Sequence, residues 1–180
     1  MDVEPNRTPR PIAQPSDRVR SDTDANAPLH IVLVEPQIPP NTGNVARLCA
    51  ATGCALHLVA PLGFSIADRE LKRAGLDYWD AVDVRLHDSL DAFLATWSAP
   101  LWLLSTRASQ RYDGAPFAFG DALVFGKETA GLPDAVLAAH PTQTLRVPMR
   151  EGAVRSLNLS TTVGIVAYAA LARLGFPALR

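Results

Sequence analysis

Six short apolar runs alternate with segments of helical periodicity, and this alternation leaves the chain few architectures. The first run, Leu29–Glu35 (LHIVLVE), is continuously apolar, partly β-branched and bounded by prolines, the pattern of a strand buried on both faces. Leu56–Ala60, Val82–Leu86, Leu101–Leu104, Ala122–Phe125 and Thr144–Val147 read as further strands. Helices are expected from Asn41 to near Gly53, with Val45, Leu48 and Cys49 on one face, and over Ile66–Ala74, Asp88–Trp97, Asp134–Ala139 and Ser160–Leu174. Strands that alternate with helices predict one α/β domain, a mainly parallel sheet flanked by helices. Residues 1–27 are rich in Pro, Asp and Arg and carry almost nothing to bury, so a disordered extension is expected there, with the domain occupying 28–180.

In parallel sheets, ligands gather beyond the carboxyl ends of the strands. Three of the loops in that position are chemically unusual. Pro36, Pro39 and Pro40 restrict the first to an extended path before Asn41-Thr42-Gly43-Asn44 opens a helix, with Arg47 about a turn inside it. Asn41, Asn44 and Arg47 are either a helix cap with a surface ion pair or an anion fork suited to an RNA phosphate. The second loop, Gly126-Lys127-Glu128-Thr129-Ala130-Gly131-Leu132-Pro133, is bracketed by glycines. It is either a tight turn or a backbone that approaches a cofactor closely while the carboxylate of Glu128 orients it. The third, Pro148–Ser160, crowds Arg155, Ser156, Asn158 and Ser160 onto a helix entrance, where N–H groups and a positive dipole end await an anion or a cap. From that stretch alone, an elaborate cap is as good a reading as a ligand site.

Other chemistries fit poorly. The glycine spacing matches neither a dinucleotide fingerprint nor a P-loop, which counts against NAD and ATP. No GxSxG elbow is present, so a hydrolase is disfavoured. His30, His57, His87 and His140 are scattered, and Cys49 and Cys54 lack ligand spacing, so no metal site is expected and the thiols read as core groups in a reducing cytosol. Net charge is −1, and although 15 of the 17 cations are arginine, charge alone does not require nucleic acid. The basic trio Arg69, Lys72 and Arg73 reads as a solvated helix face. No apolar leader segment is evident near the start, which argues against a signal peptide. The last helix is apolar nearly all round yet too short to cross a bilayer, which needs about 20 apolar residues. Part of it is expected to bury against a second subunit, with Gly164 and Ala167 allowing close approach.

Taken together, EPQIPPNTGNVARLCAATG, LVFGKETAGLP and VPM…RSLNLSTTVGIVAYAAL resemble the three signature motifs of the SPOUT RNA methyltransferases, and RAGLDYWD (Arg73–Asp80) narrows the resemblance to the small TrmL-type members. It covers roughly Leu29 to Ala178. It implies a C-terminal trefoil knot, S-adenosyl-L-methionine as cofactor, a cytoplasmic homodimer, and methylation of the wobble ribose 2′-OH (cytidine or uridine 34) in the anticodon stem-loop of tRNA-Leu-type isoacceptors. Carried over by position, Leu104, Gly126, Val147 and Ser156 surround the methyl donor, and Glu128, Gly131, Leu132 and Met149 shape the same pocket. Arg47, supported by Asn41 and Asn44, is the implied catalytic arginine; Asn158 and Ser156 hold the reacting ribose, and Tyr168 lies near the dimer contact. The stretch Met149–Arg155 is one residue longer than the family pattern, which leaves that loop's conformation open.

Arginine stays protonated in proteins, so Arg47 cannot serve as a free base. It is expected instead to position an RNA phosphate that takes the proton, or to stabilise the developing oxyanion. Arg69, Lys72, Arg73, Arg107 and Arg111 are the candidate phosphate contacts. Two alternatives remain: the same chemistry on another tRNA or ribosomal RNA ribose, and an RNA-binding protein that holds the cofactor without catalysis. The intact motifs speak against the second.

Overall fold

The computed structural model describes residues 27–65 and 81–180, and every strand pair in it is parallel. The strands are β1 (Leu29–Val34), β2 (Ala55–Val59), β3 (Val84–His87), β4 (Leu101–Leu104), β5 (Gln110–Arg111), β6 (Asp121–Phe125) and β7 (Thr144–Arg146). They form one seven-stranded sheet in the order β3-β2-β1-β6-β4-β7-β5. The helices are α1 (Pro39–Thr52), α2 (Leu90–Thr96), α3 (Asp134–Ala139) and α4 (Leu159–Arg173).

The continuously apolar runs are central strands because helices cover both sheet faces. Leu29, Ile31 and Leu33 of β1 pack with Leu56, Leu58, Leu123 and Phe125 and with Val45, Cys49, Val163, Val166 and Ala170 of α1 and α4. The alternate residues Val32 and Val34 pack with Leu103 and Val124 and with Phe93 of α2. Period-two alternation thus sends each strand's side chains into two separate cores. Cys49 and Cys54 are buried free thiols, and burial pushes both above the usual thiol pKa.

Several boundaries differ from those expected. Pro39 and Pro40 are not loop residues but open α1, because the first turn has no use for their missing N–H and their fixed φ suits a helix. Arg47 therefore lies more than two turns in. Glu35 does not extend β1 but turns the chain with φ +49°. Between β4 and β6, where the polar sequence Ser105–Ala118 predicts a loop, lies β5, a two-residue edge strand too short to leave a periodic signal. Ala27, assigned to the N-terminal extension, is buried with the domain. Gly164 and Ala167 face inward: Ala167 is fully buried, and a Cβ on Gly164 would meet Leu48 Cδ1 at 3.7 Å. The outward face of α4 is instead Thr161, Tyr168 and Ala172, with the ring of Tyr168 tilted at 54° to that of the exposed Phe176, 6.4 Å away. The expected helix 66–74 with its basic trio, the stretch 73–80 and residues 1–26 lie outside the described residues.

The scattered histidines converge. His30, His57 and His87 point to one sheet face from adjacent strands and form a buried row, with His30 Nδ1 to His57 Nε2 at 3.0 Å and His57 Nδ1 to His87 Nε2 at 2.9 Å. Phe93 and Trp97 of α2 pack edge-on against the row. Burial first, then the neighbouring His30, His87 and Arg85, pushes His57 down to about 2, so it is a neutral core group.

Candidate active site

The carboxyl ends of β4, β6 and β7 and the start of α1 surround a cavity of about 500 Å³. This is where an open parallel sheet binds its ligands, since loops from neighbouring strands part there. Ten residues anticipated from the sequence border it: Asn41, Leu104, Gly126, Glu128, Gly131, Leu132, Val147, Met149, Ser156 and Asn158. Ser105, Thr106, Leu157 and Thr162 border it too and were not anticipated, and Arg107, anticipated only as an RNA contact, also borders it. Asn44 and Arg47 do not; both stand exposed on the outer face of α1, one turn apart.

The glycine-bracketed loop after β6 is a closed turn. Gly131, at φ +72°, donates its N–H to the carbonyl of Lys127 at 2.8 Å. A Cβ on Gly126 would fall 2.0 Å from the Gly131 carbonyl carbon and 2.2 Å from Leu132 N. Backbone therefore occupies the space a side chain would take, so glycine at 126 is what lets the turn close on itself.

Glu128 turns away from the role of a simple pocket wall. Its carboxylate accepts from Gln37 N at 2.9 Å, Ile38 N at 3.2 Å and Asn41 Nδ2 at 3.0 Å. Helix α1 has Ile38 at its cap position and prolines behind it, so no side chain of its own caps it. A carboxylate from another strand end does so instead, where the helix dipole favours a negative charge.

The same network reaches the third loop. Asn158 Nδ2 donates to Asn41 Oδ1 at 2.9 Å, while Asn158 Oδ1 accepts from Ser160 Oγ at 2.8 Å and from Thr161 N at 3.3 Å. Of the three candidate caps for α4, Asn158 is the cap, and Ser160 lies in the first turn. Glu128 in the loop after β6, Asn41 in the first turn of α1 and Asn158 at the cap of α4 thus form one hydrogen-bonded line along the cavity wall. Both amide side chains are oriented by it. Ser156 stands free of that line, exposed at the cavity mouth beside Arg155.

Arg107 and Arg111, anticipated as RNA contacts, are engaged by Asp134 and Asp113 respectively. These exposed pairs hold both carboxyls below the usual range, chiefly through the hydrogen bond from arginine. Arg150 and Arg155 stand exposed on the loop between β7 and α4. Among the described residues, no group of three or more His, Cys, Asp or Glu is arranged to hold a metal ion. No helix among them is long and apolar enough to cross a membrane.

The SpoU rRNA Methylase family model matches residues 28–168. A relative from Yersinia pestis named tRNA (cytidine(34)-2′-O)-methyltransferase is 47% identical over 156 residues, which cover 83% of this chain and 96% of that protein. A solved structure described as giving insights into 2-OH methylation of C/U34 on tRNA is 50% identical, with a TM-score of 0.78 over 84% of this chain and 98% of its own. An AdoMet-bound rRNA methyltransferase from Sinorhizobium meliloti, 24% identical, shares the fold with a TM-score of 0.74 over 83% of this chain and 57% of that one.

Proposed function

The chain belongs to the SpoU rRNA methylase family, and on that premise we propose that it methylates the ribose 2′-OH of the wobble nucleotide, cytidine or uridine 34, of tRNA. S-Adenosyl-L-methionine is the methyl donor in this reading. The observation that carries it is the line Glu128–Asn41–Asn158, which joins all three signature motifs at the wall of one cavity. The cavity's size, its glycine-lined floor and its mixed polar and apolar walls fit a nucleoside cofactor. When bound, the donor would supply an electrophilic methyl group on a sulfonium, and the chain's own residues would position it. Leu104, Gly126, Val147 and Met149 bind it and exclude water, while Ser156 and Asn158 hold the ribose. We further infer the trefoil knot and the homodimer that the family implies, with the outward face of α4 around Tyr168 covered by the second copy, and a cytoplasmic setting.

The 2′-OH must lose a proton as it attacks. Asn158 can donate or accept a hydrogen bond but cannot take that proton, and Arg47, always protonated, has no lone pair to accept it. An RNA phosphate held by Arg47 is the acceptor in this reading, because the planar guanidinium offers two parallel donors to a phosphate. Methyl transfer from labelled donor to tRNA lacking wobble ribose methylation, with the labelled nucleotide mapped, tests the assignment. Label at position 34 is expected, and label elsewhere removes the proposed specificity. Arg47→Lys keeps the charge but loses the fork, so kcat is expected to fall by about 100-fold. Near-normal turnover in that variant would show that a point charge suffices.

Arg150 and Arg155, exposed beside the cavity mouth, are better phosphate contacts than the paired Arg107 and Arg111. In filter binding over a salt series, Arg150→Ala is expected to lower the slope of log K against log salt by ~0.7–0.9, the loss of one phosphate contact. Arg111→Ala is expected to leave that slope unchanged.

A further inference from the structure

We propose that Lys127 and Thr129 are positioning residues for methyl transfer: together with Glu35 and Gln37 they fix helix α1, and so the guanidinium of Arg47, relative to the cofactor cavity. The inference rests on the reading of Arg47 given above.

Three consecutive side chains after β6 reach across to the loop after β1. Lys127 Nζ donates to Glu35 Oε2 at 2.7 Å, Glu128 accepts from Gln37, Ile38 and Asn41, and Thr129 Oγ1 donates to Gln37 Oε1 at 2.7 Å. All three lie within the motif LVFGKETAGLP, but Lys127 and Thr129, unlike Glu128, have no assigned role. Strands β1 and β6 are parallel neighbours, so their following loops leave the sheet side by side.

The clamped loop needs outside support. Glu35 sits at φ +49°, a left-handed conformation that a residue with a side chain adopts only when its surroundings hold it. Its N–H bonds to Val59 O at 2.9 Å, and its carboxylate is held by Lys127. On the far side, a Cβ on Gly63 would meet Gln37 Cα at 2.7 Å, so the loop is wedged between Gly63 and the 127–129 side chains. Pro39 and Pro40 have no N–H to anchor the first turn of α1. The direction of the helix is therefore set by these loop contacts as well as by its packing on α4.

Arg47 lies eight residues beyond Pro39, about 12 Å along the axis at 1.5 Å per residue. At that distance a tilt of roughly 5° moves the guanidinium by about 1 Å, and a misplacement of that size can cost as much as ~100-fold in rate. Lys127 and Thr129 border the cavity, but their polar atoms are spent on Glu35 and Gln37. Losing them leaves the cofactor's contacts in place while the arginine moves.

The test is Lys127→Met in the full chain, with Lys127→Arg as the conservative partner. Lys127→Met is expected to lower kcat by about 10-fold or more with S-adenosylhomocysteine affinity within about twofold of wild type. Lys127→Arg is expected to restore most of the turnover, and Glu35→Gln/Lys127→Met to be no worse than Lys127→Met alone. Full turnover in Lys127→Met beside an active wild type overturns the inference. So does a cofactor affinity that falls in step with kcat, since Lys127 would then be a cofactor contact. Amide hydrogen exchange at Asn41 and Thr42 gives a readout independent of substrate: it is expected to quicken by about 10-fold in Lys127→Met, and unchanged exchange overturns the inference even without turnover. A wild type that methylates no tRNA would instead sink the functional reading, while the exchange result still decides the clamp.

Discussion

Gly126→Ala is expected to abolish cofactor binding while the domain stays folded. The new methyl group would fall 2.0 Å from the carbonyl carbon of Gly131, 2.2 Å from the nitrogen of Leu132 and 2.4 Å from the Gly131 oxygen. All of these are backbone atoms, which cannot swing aside as a side chain could. The turn would have to open, and its closing bond from Gly131 N to Lys127 O would be the first to go. Overpacking of this kind costs about 1–3 kcal/mol of stability, which a domain of this size can survive. The cavity wall cannot, because the displaced segment is the one the cofactor would lie against. Titration calorimetry with S-adenosylhomocysteine is expected to show at least a ~100-fold loss of affinity, equivalent to about 2.7 kcal/mol. Gly114→Ala is the matched control, since a Cβ there meets nothing within 4 Å. Binding within a few-fold of wild type for Gly126→Ala would place the cofactor elsewhere.

Acid is expected to destabilise the fold well before its carboxylates titrate. His57 takes up its proton near 6.5 in an unfolded chain but only at about 2 in the folded one, because burial opposes the charge and His30, His87 and Arg85 repel it. His87, half-buried, is also lowered, chiefly by burial, with Arg85 adding to the shift and Asp88 opposing it. A depressed folded value means that this stability is complete above pH 6.5. Below it the unfolded chain binds more protons, and stability falls until the folded value is reached. The slope is ~1.4 kcal/mol per pH unit for one such histidine, so His57 alone removes about 2 kcal/mol between pH 6.5 and 5. Urea unfolding at pH 7.5 and 5.0 would measure this. Equal midpoints would mean that His57 is not held neutral in the core.

Much of the site was legible because its parts are local. Gly126, Gly131 and Glu128 sit within six residues of one another, and Arg155 to Ser160 form a single run, so composition and order within each loop already marked them. Asn158 was among the candidate caps for the last helix because an amide just before an apolar run is a local signal. Motif order then supplied what no single loop could: that the three loops belong together.

The partners were not legible. Nothing in the segment Lys127-Glu128-Thr129 indicates that its side chains close on Glu35, Gln37 and Asn41, some 90 residues earlier, since those contacts exist only once β1 and β6 lie side by side. The histidine row was invisible for the same reason. His30, His57 and His87 have no spacing in common, and their hydrogen bonds arise from the register of three strands. Small residues mark close packing without saying against what: Ala167 lies in the chain's own core, while the part-exposed Gly164 would set a Cβ against Leu48 of α1.

The sequence by itself therefore determined the α/β class, the parallel sheet, the buried runs and the identity of ten cavity-lining residues, because hydrophobic period, turn chemistry and motif are written in neighbouring positions. The tertiary structure alone decided that Glu128 caps α1, that Asn41 and Asn158 orient one another, and that Asn44 and Arg47 stand outside the cavity wall. Those outcomes depend on strand order and register, which are settled by the simultaneous burial of two sheet faces and by no local stretch of chain.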